Sequence, residues 1–195
     1  MVRLNGWVSS TKAIDPVRTG RLVLTPITVA DVDDLWRLYQ DPRVAYWTGP
    51  WTRETVGAWA QDMATRWATD GVGKWLARDR SDGTLIGRGG LSRVDLGGET
   101  VLELGWVVRD AFTGRGFASE IGRAGLEWAG TFFPGIEVVA FTEVHNHASR
   151  AVMRRLGLLD SGIIYRPGRM PGRPGVYPVA PFAVARLAGS SPSTV

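Results

Sequence analysis

The segment that offers the most chemistry lies just past the middle of the chain, where a predicted strand ends in a glycine-punctuated turn that opens into a helix. From Val107 to Glu120 it reads VVRDAFTGRGFASE. The first amides of a helix have no partner within the helix, and Gly114 and Gly116 carry no Cβ that would block a ligand. Arg115 adds positive charge. The segment predicts a cradle for a phosphate or diphosphate, although a tight turn that needs glycine only for its backbone conformation would look the same.

Two common nucleotide motifs do not match this segment. A P-loop requires G-x-x-x-x-G-K-[ST], and no such run occurs in the chain. A dinucleotide fingerprint belongs to an early βαβ unit, whereas this segment lies past mid-chain and follows a predicted antiparallel meander. Both nucleotide interpretations are therefore poor.

Composition excludes several other kinds of site. The 195 residues include no cysteine and two histidines. Thiol nucleophiles, disulfides and cysteine-ligated metals are thus excluded, a Ser-His-Asp triad is disfavoured, and we expect no metal. No apolar run reaches the roughly 18 residues of a membrane span, and residues 1–13 lack the apolar stretch of a signal peptide, so we expect a cytoplasmic protein without a membrane partner. The net charge of +4 comes from dispersed arginines, which disfavours nucleic acid as a partner.

The elements that would position the cradle alternate between helical and strand periods. Predicted helices cover residues 28–39, 52–70, 117–132 and 148–156, and Asp41-Pro42 is predicted to end the first of them. Predicted strands cover residues 21–24, 75–78, 85–91, 102–108, 136–141, 162–165 and 182–187. We predict an α/β (α+β) single domain, with a mixed, mostly antiparallel sheet of about seven strands flanked by about four helices.

Three stretches resemble the GCN5-related N-acetyltransferase (GNAT) superfamily. Residues 113–118, TGRGFA, are similar to its [RQ]-x-x-G-x-[GA] cofactor motif, with Thr113 where Arg or Gln is usual. Residues 146–158, NHASRAVMRRLGL, resemble the N-x-x-S-x-x-[VL]-x-x-[KR]-L-G-F signature of the branch that includes ribosomal-protein N-terminal acetyltransferases. Residues 21–26, RLVLTP, resemble that branch's opening, with Thr25 in place of its commoner Arg. Together the matches cover residues 21–165.

The resemblance implies a domain plan, a cofactor and roles for individual residues. It implies an N-terminal extension at 1–20, a GNAT domain at 21–188 and, because the last residues have nothing to bury, a flexible tail at 189–195. It implies direct acetyl transfer from acetyl-CoA to a primary amine, and it allows a homodimer. The residues implied to hold acetyl-CoA are Trp106, Val107 and Val108 for the pantetheine arm, Thr113, Gly114, Arg115, Gly116, Phe117 and Ala118 for the diphosphate, and Asn146 for an amide of the cofactor.

Two residues are candidate catalytic groups. Glu103 lies in the strand that leads to the motif and could deprotonate the acceptor amine directly or through water, although an exposed strand glutamate would look the same. Glu143, Glu120 and His145 are weaker candidates. The resemblance puts Ser149 near the departing sulfur, where its hydroxyl could donate a proton. A serine near a helix start can instead only bond the backbone.

The acceptor is less well defined by the sequence. The resemblance implies that the aromatic segment 46–51 and the arginine-containing loop 166–175 border the acceptor site, although the aromatics could simply be core and the arginines solvated. An α-amine, with a pKa of about 8, is easier to use at neutral pH than a lysine at about 10.4. This favours peptide N-termini or small amines without deciding between them. The competing class is a non-catalytic acyl-CoA-binding sensor or interaction domain on the same fold.

Overall fold

The computed structural model describes residues 14–167 and 179–187 of the chain. Within this part, eight strands form one sheet and five α-helices cover it. The strands are β1 (Val17–Arg18), β2 (Leu22–Pro26), β3 (Lys74–Asp79), β4 (Leu85–Leu96), β5 (Glu99–Val108), β6 (Val138–Glu143), β7 (Leu158–Pro167) and β8 (Val179–Leu187). The helices are α1 (Val32–Tyr39), α2 (Pro42–Thr48), α3 (Arg53–Asp70), α4 (Phe117–Phe132) and α5 (His147–Arg155). Two 3₁₀ helices, Val29–Asp31 and Asp110–Phe112, precede α1 and α4.

The sheet is mixed and mostly antiparallel, as the sequence predicts. Its strand order is β1-β2-β3-β4-β5-β6-β8-β7, and only β5 and β6 pair in parallel. The structure adds one strand and one helix to the predicted set. The added strand, β1, has two residues and pairs with β2. It lies within the predicted N-terminal extension.

The added helix is α2, which starts at the dipeptide predicted only to end α1. The Asp41 side chain accepts hydrogen bonds from the amides of Arg43 and Val44, at 3.1 and 3.3 Å. Pro42 occupies the first helical position, where the missing N–H is no loss and the fixed φ fits the helix. The same two residues therefore separate α1 from α2 and begin α2.

Helices cover both faces of the sheet. On one face, α1, α2 and α3 pack over a core that includes Leu35, Tyr39 and Leu76. On the other face, α4 and α5 pack over Leu102, Leu104 and the strands beyond the parallel pair. None of the helices in the described ranges is long and apolar enough to cross a membrane.

A gap opens in the middle of the sheet, between the two parallel strands. They pair only at Leu102 with Val138 and at Glu103 with Val139. Beyond these pairs, β5 continues to Val108 along β4, and β6 continues to Glu143 along β8. The two strands thus leave two backbone edges unpaired, and α4 starts close to the end of one of them.

Candidate functional site

One continuous cavity of about 1180 Å³ occupies this gap and extends to both sides of it. Its walls are the turn before α4, the open edges of β5 and β6, the start of α5, and side chains on the sheet face under α1 and α3. Every predicted site residue lines it: Glu103, Trp106, Val107, Val108, Thr113, Gly114, Arg115, Gly116, Phe117, Ala118, Asn146 and Ser149. The sequence motifs, far apart in the chain, thus meet at one cavity.

The turn before α4 presents a row of backbone amides. The Thr113 amide donates to the Asp110 carbonyl at 3.0 Å, and the Glu120 amide donates to the Gly116 carbonyl at 3.0 Å. Between them, the amides of residues 114–119 donate to no residue that the structure describes. Gly114 and Gly116 have φ values of 73° and 85°, in the left-handed region that favours glycine. The glycines therefore serve both predicted purposes, a tight turn and an open row of amides.

A partly buried carboxylate, that of Glu120, connects this turn to the first strands of the sheet. Glu120 Oε1 accepts from the Thr19 hydroxyl at 2.5 Å and from the Arg21 amide at 2.8 Å, and Oε2 accepts from Arg21 Nε at 2.8 Å. The Arg21 guanidinium also donates to the Arg115 carbonyl at 2.9 Å and lies 4.3 Å from the centre of the Phe117 ring. These contacts hold the backbone of the turn in place.

The same contacts determine the protonation of Glu120. Burial raises the pKa of its carboxyl, but the hydrogen bonds from Thr19 and Arg21 and the charge of the guanidinium outweigh burial, so the pKa lies below its ordinary value. Glu120, a weaker candidate for the base, is thus an ionised carboxylate that pairs with Arg21 and holds the turn in place. It does not line the cavity.

The predicted catalytic residues lie on different walls. Glu103 is half-buried on β5, opposite Ser92 on β4. The Ser149 amide donates to Asn146 Oδ1 at 3.0 Å, so Asn146 is the N-cap of α5. The Ser149 hydroxyl makes no hydrogen bond to a described residue. Asn146 is buried and its carboxamide nitrogen donates to no described residue, which leaves that donor for a ligand in the cavity.

The two remaining candidates for the base, Glu143 and His145, contact each other. Glu143 is buried and its Oε2 lies 3.2 Å from His145 Nε2. The His145 ring is 5.5 Å from that of Trp47. Glu143 lines the cavity and His145 does not.

The aromatic segment is divided between cavity and core. Trp47 and Thr48 line the cavity, whereas Trp51 stacks on Tyr39 at 4.3 Å between ring centres and packs against the core. The loop 166–175 lies outside the described residues, apart from the backbone of Arg166 and Pro167. Its predicted role at the acceptor site stays a prediction.

The cavity wall contains two buried cations that were not predicted from the sequence, Lys74 and Arg88. Lys74 is 7% exposed and Arg88 is 8% exposed, on the sheet face under α1 and α3. In the sequence Arg88 is an isolated basic residue of the predicted strand 85–91 and Lys74 directly precedes the predicted strand 75–78, a pattern typical of solvated positions. In residues 14–167 and 179–187, no group of three or more histidines and carboxylates is arranged to hold a metal ion.

Comparison with known proteins agrees with this geometry. The family model described as an acetyltransferase (GNAT) domain matches residues 21–159. No protein of curated function matches the chain in sequence. A Bordetella pertussis protein assigned to the GNAT acetyltransferases is similar in structure, with a TM-score of 0.75 and 22% identity over 90% of this chain and 100% of that one. An acetyltransferase from Agrobacterium tumefaciens has a TM-score of 0.69 and 26% identity over 93% and 98%.

A third structure belongs to the branch named from the sequence. The ribosomal-protein-S5-alanine acetyltransferase from Vibrio fischeri has a TM-score of 0.71 and 12% identity, over 91% of this chain and 99% of that one. At 12% identity, this similarity shows a shared fold and no more. The family model, by contrast, matches well over half of the chain. The chain therefore belongs to the GNAT acetyltransferase family, and this membership indicates transfer of an acetyl group.

Proposed function

We propose that the protein is an acetyl-CoA-dependent N-acetyltransferase that moves the acetyl group directly to a primary amine. The observation that carries the proposal is the row of amides at 114–119, which donate to no described residue and open into the cavity between β5 and β6. Such a row at a helix start is suited to the negative charge of a diphosphate. The family uses acetyl-CoA, which has a diphosphate next to a pantetheine arm.

The open edge of β5 is suited to the amide-containing pantetheine arm. The N–H of Leu102 donates across the parallel pair to the Glu137 carbonyl at 2.8 Å. Because backbone groups alternate between the two sides of a strand, we expect the N–H and C=O of Trp106 and Val108 to face the gap. These groups, with the carboxamide nitrogen of Asn146, would orient the arm so that the acetyl end reaches the acceptor side.

Acetyl transfer then requires two proton movements, and the cavity wall offers a residue for each. The thioester of acetyl-CoA supplies the activated acetyl group. Glu103 accepts a proton from the acceptor amine, directly or through water, as the C–N bond forms. The Ser149 hydroxyl donates to the sulfur as the C–S bond breaks, and water replaces its proton. Glu103 is preferred to Glu120, whose carboxylate is paired with Arg21, and to Glu143, which contacts His145.

The test combines a binding measurement with a turnover measurement. Calorimetry should detect acetyl-CoA binding with one site per chain, and thiol release should be stimulated by at least one amine of a panel of peptide N-termini and small amines. Binding without turnover across the panel would favour the acyl-CoA sensor. Absence of acetyl-CoA binding would overturn the proposal. A cytoplasmic location and a homodimer stay predictions, the second to be measured by sedimentation equilibrium.

A further inference from the structure

The cavity also contains a buried guanidinium, on the sheet face under α1 and α3. Arg88 is 8% exposed and lies on β4, opposite Leu76 on β3 and Val107 on β5. Its Nε donates to the Tyr39 hydroxyl at 2.7 Å, and its Cζ lies 4.8 Å from the centre of the Trp59 ring. These contacts hold the guanidinium plane in place against the cavity.

This guanidinium has no counter-ion among the residues that the structure describes. No carboxylate of residues 14–167 or 179–187 pairs with it, and its two terminal nitrogens donate to none of these residues. Two other arginines that line the cavity are paired with carboxylates, Arg43 with Asp110 at 3.6 Å and Arg66 with Asp62 at 2.8 Å. Because a buried charge without a partner is strongly unfavourable, Arg88 is explained best by an anion that arrives with a ligand.

The charged groups around Arg88 indicate which charged groups its ligand would carry. Lys74 lies on the same sheet face, and its Nζ donates to the carbonyls of Gly90 and Glu103 at 2.9 and 3.2 Å. Glu103 lies further along β5, four residues or about 13 Å of strand from Val107. Arg88 is thus at one end of this wall and the candidate base at the other, and Lys74, whose Nζ contacts the Glu103 backbone, lies between them.

We propose, resting on the N-acetyltransferase function above, that Arg88 binds a carboxylate of the acceptor. The substrate class is then a primary amine that also carries a carboxylate, with the amine directed to Glu103. Nε of Arg88 is already engaged by Tyr39, so the two terminal nitrogens remain, and they match the two oxygens of a carboxylate. A phosphate has more oxygens to satisfy and would need further donors, which makes a phosphate-bearing amine the alternative to be excluded.

The experiment uses matched acceptors with the full chain and saturating acetyl-CoA. Linear ω-amino carboxylates of several lengths are compared with their neutral amides and with phosphonates of equal length, by thiol release. For the best length, we expect kcat/KM for the carboxylate to exceed that for the amide by at least tenfold. Arg88→Gln, which keeps a donor for the Tyr39 hydroxyl, should reduce this preference to less than threefold. Arg66→Gln removes the same charge from another position that lines the cavity and should retain the preference within threefold.

Each outcome decides for or against the assignment. A wild-type protein that uses amides as well as carboxylates, that prefers phosphonates, or that acetylates no member of the panel would overturn it, and so would a preference that survives in Arg88→Gln. Thermal melting checks that the variants fold, and Arg88→Met provides a second test if Arg88→Gln does not. Calorimetry separates the two proposals. If acetyl-CoA binds and only neutral amines are acetylated, the proposal that the acceptor carries a carboxylate is overturned and the proposed function stands. If acetyl-CoA does not bind, the proposed function itself is overturned.

Discussion

Replacing Ala118 with aspartate should separate cofactor binding from folding. Ala118 is the second residue of α4 and lines the cavity beside the row of amides. An acidic side chain in the first turn of a helix typically stabilises it by about 0.3–1 kcal/mol, which offsets part of the cost of a charge at this partly buried position, and thermal melting checks that the variant folds. Gly116 is a poorer position for this test, because any side chain there is strained at a φ of 85°.

The expected loss of affinity follows from charge repulsion at the turn. A diphosphate carries at least two negative charges, and a carboxylate at position 118 would lie about 5 Å from each. Even with the dielectric constant of water, about 80, two such pairs repel by about 1.7 kcal/mol, which corresponds to about 15-fold in Kd. A lower dielectric constant in the cavity increases this value. Screening at physiological ionic strength, where the Debye length is about 8 Å, roughly halves this repulsion, so the expected loss there is about fourfold and grows as the salt concentration is lowered.

Calorimetry with acetyl-CoA measures this effect, with two controls. Ala118→Asn introduces a side chain of nearly the same size as aspartate but without charge, and this variant should lose much less affinity for acetyl-CoA than Ala118→Asp. S-acetylpantetheine has no diphosphate, so the turnover of this truncated donor should be unaffected by the charge. A Kd for acetyl-CoA that stays within twofold of wild type in folded Ala118→Asp would refute the assignment of the amide row to the diphosphate.

Three further substitutions test the roles of single side chains. Glu103→Gln should lower kcat/KM by about 10²–10⁴, with the Kd for acetyl-CoA unchanged. A kcat/KM within twofold of wild type would eliminate Glu103 as the base. Ser149→Ala should lower kcat tenfold or more at nearly constant Kd, and with little effect on Tm because its amide still donates to Asn146; kcat within twofold would leave Ser149 a structural role only. Glu120→Gln should destabilise the protein at neutral pH. Because the pKa of Glu120 is lower in the folded state, its contribution is complete above the unfolded pKa of about 4.3 and is lost as pH falls through the lower folded pKa. The Tm difference between wild type and variant should therefore shrink from about pH 4.3 downwards, and a constant difference would contradict the linkage.

The local signals in the sequence predicted most of the elements. Helix α4 has the predicted bounds, because Gly116 marks its start and the apolar period is regular. Thr52 is the N-cap of α3 and accepts a hydrogen bond from the Thr55 amide. Two elements were not predicted. Helix α2 has a local start signal, Asp41-Pro42, but the same dipeptide also ends α1. Strand β1 is two residues long and exists through its pairing with β2, for which the sequence of Val17–Arg18 has no local signal.

The site was predictable where a motif marks it and was missed where only tertiary contacts form it. The predicted site residues within 103–118 line the cavity because a strand, a turn and a helix follow each other directly, whereas Asn146 and Ser149 belong to a second motif that the family resemblance connects with the first. The ion pair of Arg21 and Glu120 joins residues 99 positions apart, which a single sequence does not reveal. Arg88 was missed because of a β-bulge: Ala77 pairs with Gly87 and Arg78 with Leu85, so one residue of β4 is extra. Simple alternation would put Arg88 on the other face, with Ile86.

A crystal structure of the protein with CoA is the most direct test of the central claim, that the gap between β5 and β6 is the donor site. We expect diphosphate oxygens within hydrogen-bonding distance of amides in residues 114–119. We also expect a pantetheine arm along Trp106 to Val108, with the sulfur between Ser149 and the side of the cavity that holds Glu103. CoA bound elsewhere, or bound in the gap with its diphosphate away from these amides, would contradict this claim.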